Sequence, residues 1–219
     1  MNFESSYICQ REDVISLIPA HVKRVLDVGC SIGTLGKQIK LRFGAIVVGI
    51  EINTEMSKAA EEILDKVYCI DIESEDTSRL IQDDRFDCIV FADVLEHTRD
   101  PWKILSDFSK ILSPDGHIVA SIPNVRHIST IKELLIKGNW PYRTRGIHDR
   151  HHLRFFTLKN IIELFEGAGL EILTIKRNFR TFEHRKRKVL DIVVAQIMSF
   201  FCNELMVFQY LICARAKNL

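Results

Sequence analysis

Val25-Leu26-Asp27-Val28-Gly29-Cys30-Ser31-Ile32-Gly33 is the stretch of sequence that decides the fold. It is a short apolar run with an acid near its end, and such a run is typical of a buried parallel strand. Two glycines follow, which let the backbone turn sharply and approach a ligand closely. A helix is expected next, with its N-terminal amides pointing at that ligand. The stretch therefore predicts a nucleotide-type pocket at the end of the first strand.

The glycine spacing indicates which cofactor this pocket takes. A dinucleotide fingerprint, G-x-G-x-x-G counted from Gly29, would need glycine where Ser31 and Thr34 stand, which disfavours NAD. The stretch resembles instead the first motif of the class I S-adenosylmethionine-dependent methyltransferases, acid-x-Gly-x-Gly-x-Gly, matched by Asp27, Gly29 and Gly33. The resemblance implies that Asp27 complements the positive charges of that cofactor. The alternative is a glycine-rich turn that only packs strand against helix.

Two further apolar runs also carry carboxylates. Glu51 ends the run over residues 46–51, and 51 minus 29 places it 22 residues after the first glycine, near the separation at which an acid binds ribose hydroxyls. A third run, over residues 67–72, contains Asp71. The resemblance implies that Asp71 and the backbone amide of Ile72 bind the adenine amino group.

A fourth run, over residues 86–91, precedes Asp93 and the triplet Leu95-Glu96-His97. The carboxyl ends of parallel strands line the crevice where ligands bind, so Asp93 is expected in the cofactor site, beside the methyl-transfer centre. The triplet is widespread in the superfamily that the first motif resembles. His97 could act as a base or orient a loop.

The predicted fold class is α/β: a Rossmann-like, seven-stranded methyltransferase sheet, mostly parallel with an antiparallel last strand, and helices on both faces. With 219 residues and 47% hydrophobic content, the chain can bury one sizeable core, so residues 1–219 are expected to form a single domain. Strands are predicted at 25–28, 46–51, 67–72, 86–91, 117–122, 170–175 and 205–214. Helices are predicted at 12–17, 34–42, 53–63, 101–112 and 157–166, and another is predicted to begin at 184.

Composition and charge indicate which partners and which cellular compartment to expect. The net charge of +1 gives no global electrostatic reason to expect nucleic acid. The six cysteines form no C-x-x-C pair, which indicates a reducing environment. The polar N-terminus has no signal-peptide core, so a cytoplasmic location is expected. Residues 189–201 are apolar but too short to span a bilayer, and segment 185–201 could instead rest on an anionic membrane.

Residues 123–156 are predicted to form a substrate-facing insert, because the segment is long, aromatic and rich in histidine. Its order of Pro-Asn-x-x-His, Trp-x-Tyr and Asp-x-x-His-x-Arg-Phe-Phe-Thr resembles a subgroup of class I methyltransferases associated with glycan and cell-surface polysaccharide synthesis. The resemblance implies O-methylation of a sugar or glycan precursor. The substrate residues are then Asn124, His127, Tyr142 and Arg154.

The reaction requires one base if the acceptor is a hydroxyl, because methyl transfer from a sulfonium is an in-line displacement that otherwise depends on alignment. His152 is the predicted base, with Asp149 as its orienting carboxylate and Arg154 as a clamp for an acidic substrate. His127 and His148 are competitors. The alternative is that Asp149, His152 and Arg154 only tie the insert to the body of the domain.

Other functions stay open at this point. A small lipid-like or quinone acceptor is favoured if the insert forms an apolar pocket, and a non-catalytic cofactor-binding scaffold is a further alternative. His148, Asp149, His151 and His152 crowd together, but adjacent histidines of a strand face opposite sides and the spacing matches no zinc pattern, so no metal is predicted. The oligomeric state is not predicted.

Overall fold

The computed structural model describes residues 11–74, 77, 84–179 and 203–217. Seven strands form one sheet in the order β3-β2-β1-β4-β5-β7-β6. The strands are β1 (Arg24–Val28), β2 (Ile46–Glu51), β3 (Lys66–Cys69), β4 (Phe86–Ala92), β5 (Leu112–Pro123), β6 (Leu170–Phe179) and β7 (Val207–Ala216). The first five strands pair in parallel, whereas β7 lies antiparallel between β5 and β6. The predicted fold class is confirmed, including the antiparallel last strand.

The helices lie at the positions that their capping residues favour. They are α1 (Glu12–Ile15), α2 (Thr34–Phe43), α3 (Thr54–Glu61), α4 (Pro101–Ser109), α5 (Ile128–Ile131, continued by a π-helical turn over Lys132–Ile136) and α6 (Leu158–Gly167). Asn53 caps α3, and its side chain accepts hydrogen bonds from the amides of Glu55 and Met56 at 3.0 and 3.1 Å. Gly44 ends α2 in the left-handed conformation.

Helices cover both faces of the sheet, and each face has its own apolar core. One core joins Leu26 and Phe91 of the central strands to α4 and α6. The other joins Val25 and Val90 to α1, α2 and α3. Consecutive residues of a strand point to opposite faces, so the central strands supply both cores and are buried on both sides.

Most differences from the expected elements are at element ends. β3 ends at Cys69, so Asp71 lies beyond the strand rather than at its end. α4 ends at Ser109, and β5 begins at Leu112, five residues before the predicted start. The helix predicted to begin at 184 and the proposed membrane segment 185–201 lie outside the described residues. Among the described residues, no helix combines the length and apolarity needed to cross a bilayer.

Candidate active site

The loop after β1 is built from residues with a left-handed backbone. Gly29, Ser31 and Gly33 have φ angles of 68°, 51° and 81°. The amides of Gly29 and Cys30 both donate to the carbonyl of Ile50, at 2.8 and 3.0 Å, which joins the loop to the end of β2. Ser31 thus adopts the conformation that a central glycine would take in the motif, although an L-residue there costs roughly 1–2 kcal/mol.

Gly29 is also sterically required. A Cβ atom at this position would lie 2.8 Å from Cγ2 of Val94, which follows β4. The glycine loop therefore packs directly against the residues that follow β4. The carboxyl ends of β1, β2 and β4 meet at this edge of the sheet because the three strands run in parallel.

Asp27 is a buried carboxyl group with an unused oxygen. Its side chain is 1% exposed, and Oδ2 has no hydrogen-bond partner among the described residues. Burial, and then the nearby charge of Glu51, raises its pKa to about 7, against a hydrogen bond from the Gly36 backbone. An unpartnered oxygen of this kind is suited to an ammonium group, which would compensate the buried charge.

Glu51 is held over the glycine loop by backbone amides. Its Oε2 accepts from the amide of Ser31 at 2.9 Å, and its Oε1 accepts from the amide of Asn53 at 2.8 Å. Each carboxylate oxygen can accept a further hydrogen bond. The geometry therefore suits the vicinal diol that the sequence predicts as the partner of Glu51.

Asp71 and Ile72 lie in the turn after β3. The Asp71 side chain accepts from the amide of Glu73 at 2.9 Å, and its carbonyl accepts from the hydroxyl of Thr77 at 2.6 Å. Ile72 packs against the core that contains α4. The turn is thus fixed, and the predicted adenine contacts remain predictions.

Asp93 makes its contacts within the protein. Its backbone is left-handed, with φ 60°, and its carboxylate accepts from Arg11, from Gln209 and, at 2.9 Å, from the hydroxyl of Ser121. Both carboxylate oxygens are therefore bonded to neighbouring side chains. The Asp93 side chain is 38% exposed, and its direct contact with the cofactor stays a prediction.

The residues after Asp93 form a compact group with the predicted base. Glu96 is 1% exposed, and its Oε1 lies 4.0 Å from Nε2 of His152. His97 packs edge-on against His152, with ring centroids 4.6 Å apart. We call Glu96, His97 and His152 the carboxyl–imidazole cluster.

Backbone carbonyls fix the neutral tautomers of both histidines. Nδ1 of His152 lies 3.2 Å from the carbonyl of Ile147, and Nδ1 of His97 lies 3.2 Å from the carbonyl of His151. A carbonyl only accepts, so each Nδ1 carries the proton and each Nε2 carries the lone pair. Burial lowers the pKa of both histidines, and for His152 the neighbouring His97 adds to the effect. Burial, followed by the charge of Asp93, raises the pKa of Glu96 well above its usual range.

Asp149 does not orient His152 through a direct hydrogen bond. Its Oδ1 accepts from the amide of His151 at 2.9 Å and lies 3.5 Å from Nδ1 of the same residue. A carboxyl oxygen of Glu96 lies 4.0 Å from Nε2 of His152. His152 itself has a side chain that is 6% exposed, and its role as the base stays a prediction.

The four predicted substrate residues have different surroundings, although the amide of His127 donates to the carbonyl of Asn124 at 3.1 Å. Asn124 is buried, and its amide donates to the carbonyls of Glu204 and Val207 at 3.0 and 2.8 Å. His127 is buried beside Ser129, with 2.8 Å between Nδ1 and Oγ. Arg154 donates to the carbonyl of Arg99 and lies over the ring of Trp102. Tyr142 is 74% exposed. Asn124 and His127 therefore have positions typical of structural residues.

Comparison with known proteins decides the family. Residues 4–175 match the family model described as "Methyltransferase domain". The chain belongs to the methyltransferase domain family. A ubiquinone biosynthesis O-methyltransferase of Coxiella burnetii (strain RSA 493 / Nine Mile phase I) is 27% identical over 157 residues, and the match covers 70% of this chain. The chain spans 65% of that relative's length.

Solved structures support the same fold. A SAM-dependent methyltransferase from Archaeoglobus fulgidus matches with a TM-score of 0.64 at 19% identity, over 97% of both chains. The N-terminal domain of EvdMO1 with SAH bound matches with a TM-score of 0.61 at 16% identity, over 99% of this chain and 86% of the other.

In this methyltransferase domain, the sequence did not reveal Arg11 and Gln209 as partners of Asp93, or Glu96 as the neighbour of His152. These contacts join residues that lie 82, 116 and 56 positions apart (152 minus 96 for the last). No local spacing indicates such pairs. A carboxyl group and a histidine directly after a strand, as in Leu95-Glu96-His97, were the one available signal.

The structure also bears on metal binding by the methyltransferase domain. Within the described residues, one oxygen of Glu96 and one nitrogen each of His97 and His152 lie within 4.8 Å of one another, so these residues could hold a small cation. His148 is not part of this group; its Nε2 lies 3.1 Å from the hydroxyl of buried Thr130. Of the residues 148–152 that crowd together in the sequence, only His152 belongs to this group.

Proposed function

We propose that this methyltransferase domain transfers the methyl group of S-adenosylmethionine to a hydroxyl oxygen of a small lipid-like or quinone-type acceptor. The observation that supports this cofactor is the position of Asp27, which is buried beside a left-handed glycine loop and has an unpartnered oxygen. This geometry fits a ligand with an ammonium group better than one with a pyrophosphate, because a buried carboxylate would repel phosphate.

Each cofactor residue has a distinct role in this proposal. Asp27 binds the ammonium group, Glu51 binds the ribose diol, and the turn at Asp71 and Ile72 contacts adenine. Gly29 and Gly33 let the backbone approach the amino-acid moiety. The bound cofactor supplies a methyl group on a positively charged sulfur. SAH bound to the EvdMO1 domain of similar fold supports this choice.

The surface of the insert supports an apolar acceptor. Large apolar side chains are exposed there: Leu135 at 80%, Ile136 at 78%, Leu153 at 49% and Phe155 at 46%. The amides of Leu153 and of the next residue donate to the carbonyl of Glu96, so this part of the insert adjoins the carboxyl–imidazole cluster. The Coxiella relative, named for ubiquinone biosynthesis, supports the same acceptor class.

The carboxyl–imidazole cluster supplies the base in this proposal, and His97 is its exposed member. The acceptor oxygen forms a bond to the methyl carbon, the carbon–sulfur bond breaks, and the sulfur keeps the electron pair. Nε2 of His97 takes the hydroxyl proton and can release it to solvent. His152, which the sequence predicts as the base, packs against this ring and helps to fix its orientation.

A transfer assay with isotope-labelled cofactor tests the proposed function. The acceptor panel contains prenylated and short-chain catechols, quinols, nucleotide sugars and glycan precursors. Each reaction is run with and without a chelator, because the cluster could hold a cation. We expect label in a catechol or quinol and none in sugars.

The assay separates the competing acceptors. The glycan acceptor expected from the sequence stays a prediction, and label in a sugar would favour it over the proposal. Cofactor binding without transfer to any acceptor would favour a scaffold. Absence of cofactor binding by folded protein would contradict the proposed function.

A further inference from the structure

Arg11 is a largely buried cation that reaches the carboxyl edge of the sheet from the residue before α1. Its side chain is 17% exposed. One terminal nitrogen donates to Asp93, the other lies 3.5 Å from Oε1 of Gln209, and Nε donates to Asp13 at 3.0 Å. The guanidinium thus bridges α1, β7 and the residue that follows β4.

Asp93 is held in place by donors from three separate parts of the chain. Besides Arg11, it accepts from Ser121 of β5 and Gln209 of β7. These contacts fix a non-glycine residue in the left-handed conformation. We call Arg11, Asp93 and Gln209 the strand-end clamp.

The sequence predicts Asp93, and with it the strand-end clamp, beside the methyl-transfer centre. Asp93 is followed by Val94, whose methyl group would collide with a Cβ atom at Gly29. Asp93 therefore directly precedes, in the chain, the residue that packs on the glycine loop. A free carboxylate there would stabilise a sulfonium.

Such stabilisation would oppose catalysis. The sulfur is positively charged before transfer and neutral afterwards, so its charge is already reduced in the transition state. A group that stabilises the starting charge more than the transition state lowers the rate. A cation bonded to Asp93 removes much of this effect.

We propose that Arg11 is a positioning residue of the methyl-transfer site, which holds Asp93 against β7 and cancels the field of its carboxylate at the sulfonium. This inference rests on the proposed function, because it requires S-adenosylmethionine at the glycine loop. Asp13 also pairs with Arg11 and accepts a hydrogen bond from Asn178 at 3.0 Å. Replacement of Arg11 by a neutral residue changes the local charge by one unit.

The ratio of affinities for S-adenosylmethionine and S-adenosylhomocysteine tests the proposal. The two ligands differ in the methyl group and in the positive charge on sulfur, so the ratio reports the field at that atom. For Arg11→Met, we expect preference for the charged ligand to rise about three- to tenfold, since charges near a protein surface are partly screened. Turnover should fall at the same time. Arg11→Lys keeps the charge and should remain near the wild-type ratio.

Asp93→Asn provides the opposite change and keeps the proposal testable if Arg11→Met does not fold. It leaves Arg11 without this partner and should lower the preference for the charged ligand. The double variant Arg11→Met/Asp93→Asn should return towards the wild-type ratio. Arg24→Met is the matched control, because Arg24 pairs with Asp84 at 2.7 Å at the opposite end of β1.

The outcomes distinguish this inference from the proposed function. A folded Arg11→Met protein with an unchanged ratio would overturn the inference alone, and so would a ratio that rises equally in Arg24→Met. Wild-type protein that binds neither ligand would overturn the proposed function and this inference with it.

Discussion

Ser31 illustrates how a single backbone conformation selects residues in the glycine loop. Its φ of 51° is in the same left-handed region as the values of 68° at Gly29 and 81° at Gly33, so the loop repeats one conformation at every second residue. Ser31 pairs through its amide with Glu51, which compensates part of the backbone cost. The two glycines differ in the space around them. A Cβ atom would lie 2.8 Å from Val94 at Gly29, whereas its nearest neighbours at Gly33 would lie at 3.4 Å.

Gly29→Ala and Gly44→Ala separate backbone strain from close packing. Both glycines are left-handed, but a Cβ atom meets Val94 at 2.8 Å in the first case and nothing within 4 Å in the second. Gly44→Ala should cost about 1–2 kcal/mol of unfolding free energy and leave cofactor affinity unchanged. Gly29→Ala should cost more and abolish binding. Equal effects in calorimetry and thermal unfolding would contradict this.

Asp27 should make cofactor affinity depend on pH. Its pKa of about 7 means that it is largely protonated below neutrality, and the ammonium group of the ligand requires the ionised form. Binding should therefore release a proton, and affinity for S-adenosylhomocysteine should fall by up to about tenfold per pH unit below pH 7. Titration calorimetry in buffers of different ionisation enthalpy measures the release. Asp27→Asn should bind weakly without this pH dependence.

His97→Ala should lower turnover without weakening cofactor binding. A general base typically contributes about 10²- to 10⁴-fold to the rate. Burial lowers the pKa of His97, so the ring is neutral at pH 7 and the wild-type acid limb should have its midpoint below 6.5. Steady-state assays over a pH series check both points. His151→Ala is the control, and an equal loss there would argue against His97 as the base.

The residues that could be predicted from the sequence are those set by local order. Asp27 and Glu51 follow from strand ends and glycine spacing, and the structure holds both beside the loop. Asp149 is different. Its proximity in sequence suggests that it pairs with His152, but the structure places the carboxyl group of Glu96 4.0 Å from the His152 ring nitrogen. The approach of Glu96 to His152 across 56 residues follows no spacing rule, so the sequence alone does not reveal it.

Elements were predictable where apolar periodicity and caps agree. The N-cap of α6 shows this, since Thr157 and Asn160 form a reciprocal capping box ahead of an apolar helix face. The end of β3 was less predictable, because its residues are only partly buried and the apolar run continues into the following turn. β3 stops pairing at Cys69 because its partner strand β2 ends at Glu51.

Thr157→Ala should destabilise α6 by removing its capping box. Loss of an N-cap typically costs about 1 kcal/mol, which corresponds to a fall in Tm of roughly 2–4 °C for a domain of this size. Thr157→Ser keeps the hydroxyl and should lose little. Thermal unfolding followed by circular dichroism compares them, and an unchanged Tm in Thr157→Ala would show that the packing of α6 compensates for the cap.

At the scale of the whole molecule, long-range hydrogen bonds fasten the insert to the sheet. Asn124 contacts the start of β7, and the carbonyl of Glu96 receives two amides from the end of the insert. The order of motifs in the sequence predicts that the insert lies near the site. It does not distinguish residues that hold the insert against the sheet from residues that contact a substrate.

Asn124→Leu should affect stability rather than substrate binding. The variant leaves the buried carbonyl of Val207 and the partly buried carbonyl of Glu204 without this amide donor, which typically costs about 1–3 kcal/mol. Denaturant unfolding and the KM of the acceptor measure the two effects. A large rise in KM with unchanged stability would restore the substrate role that the sequence suggests for Asn124.

The position of β7 has a consequence for the order in which the protein folds during synthesis. β5 and β6 are not neighbours in the sheet, since β7 lies between them and pairs with both. A nascent chain that has emerged only as far as Phe179 therefore carries β6 without its pairing partner. Arg11 precedes Gln209 by 198 residues, so its contact with Gln209 forms only after β7 has been made. Translation and closure of the sheet are thus coupled, and a nascent chain halted before β7 exposes an unpaired edge to chaperones.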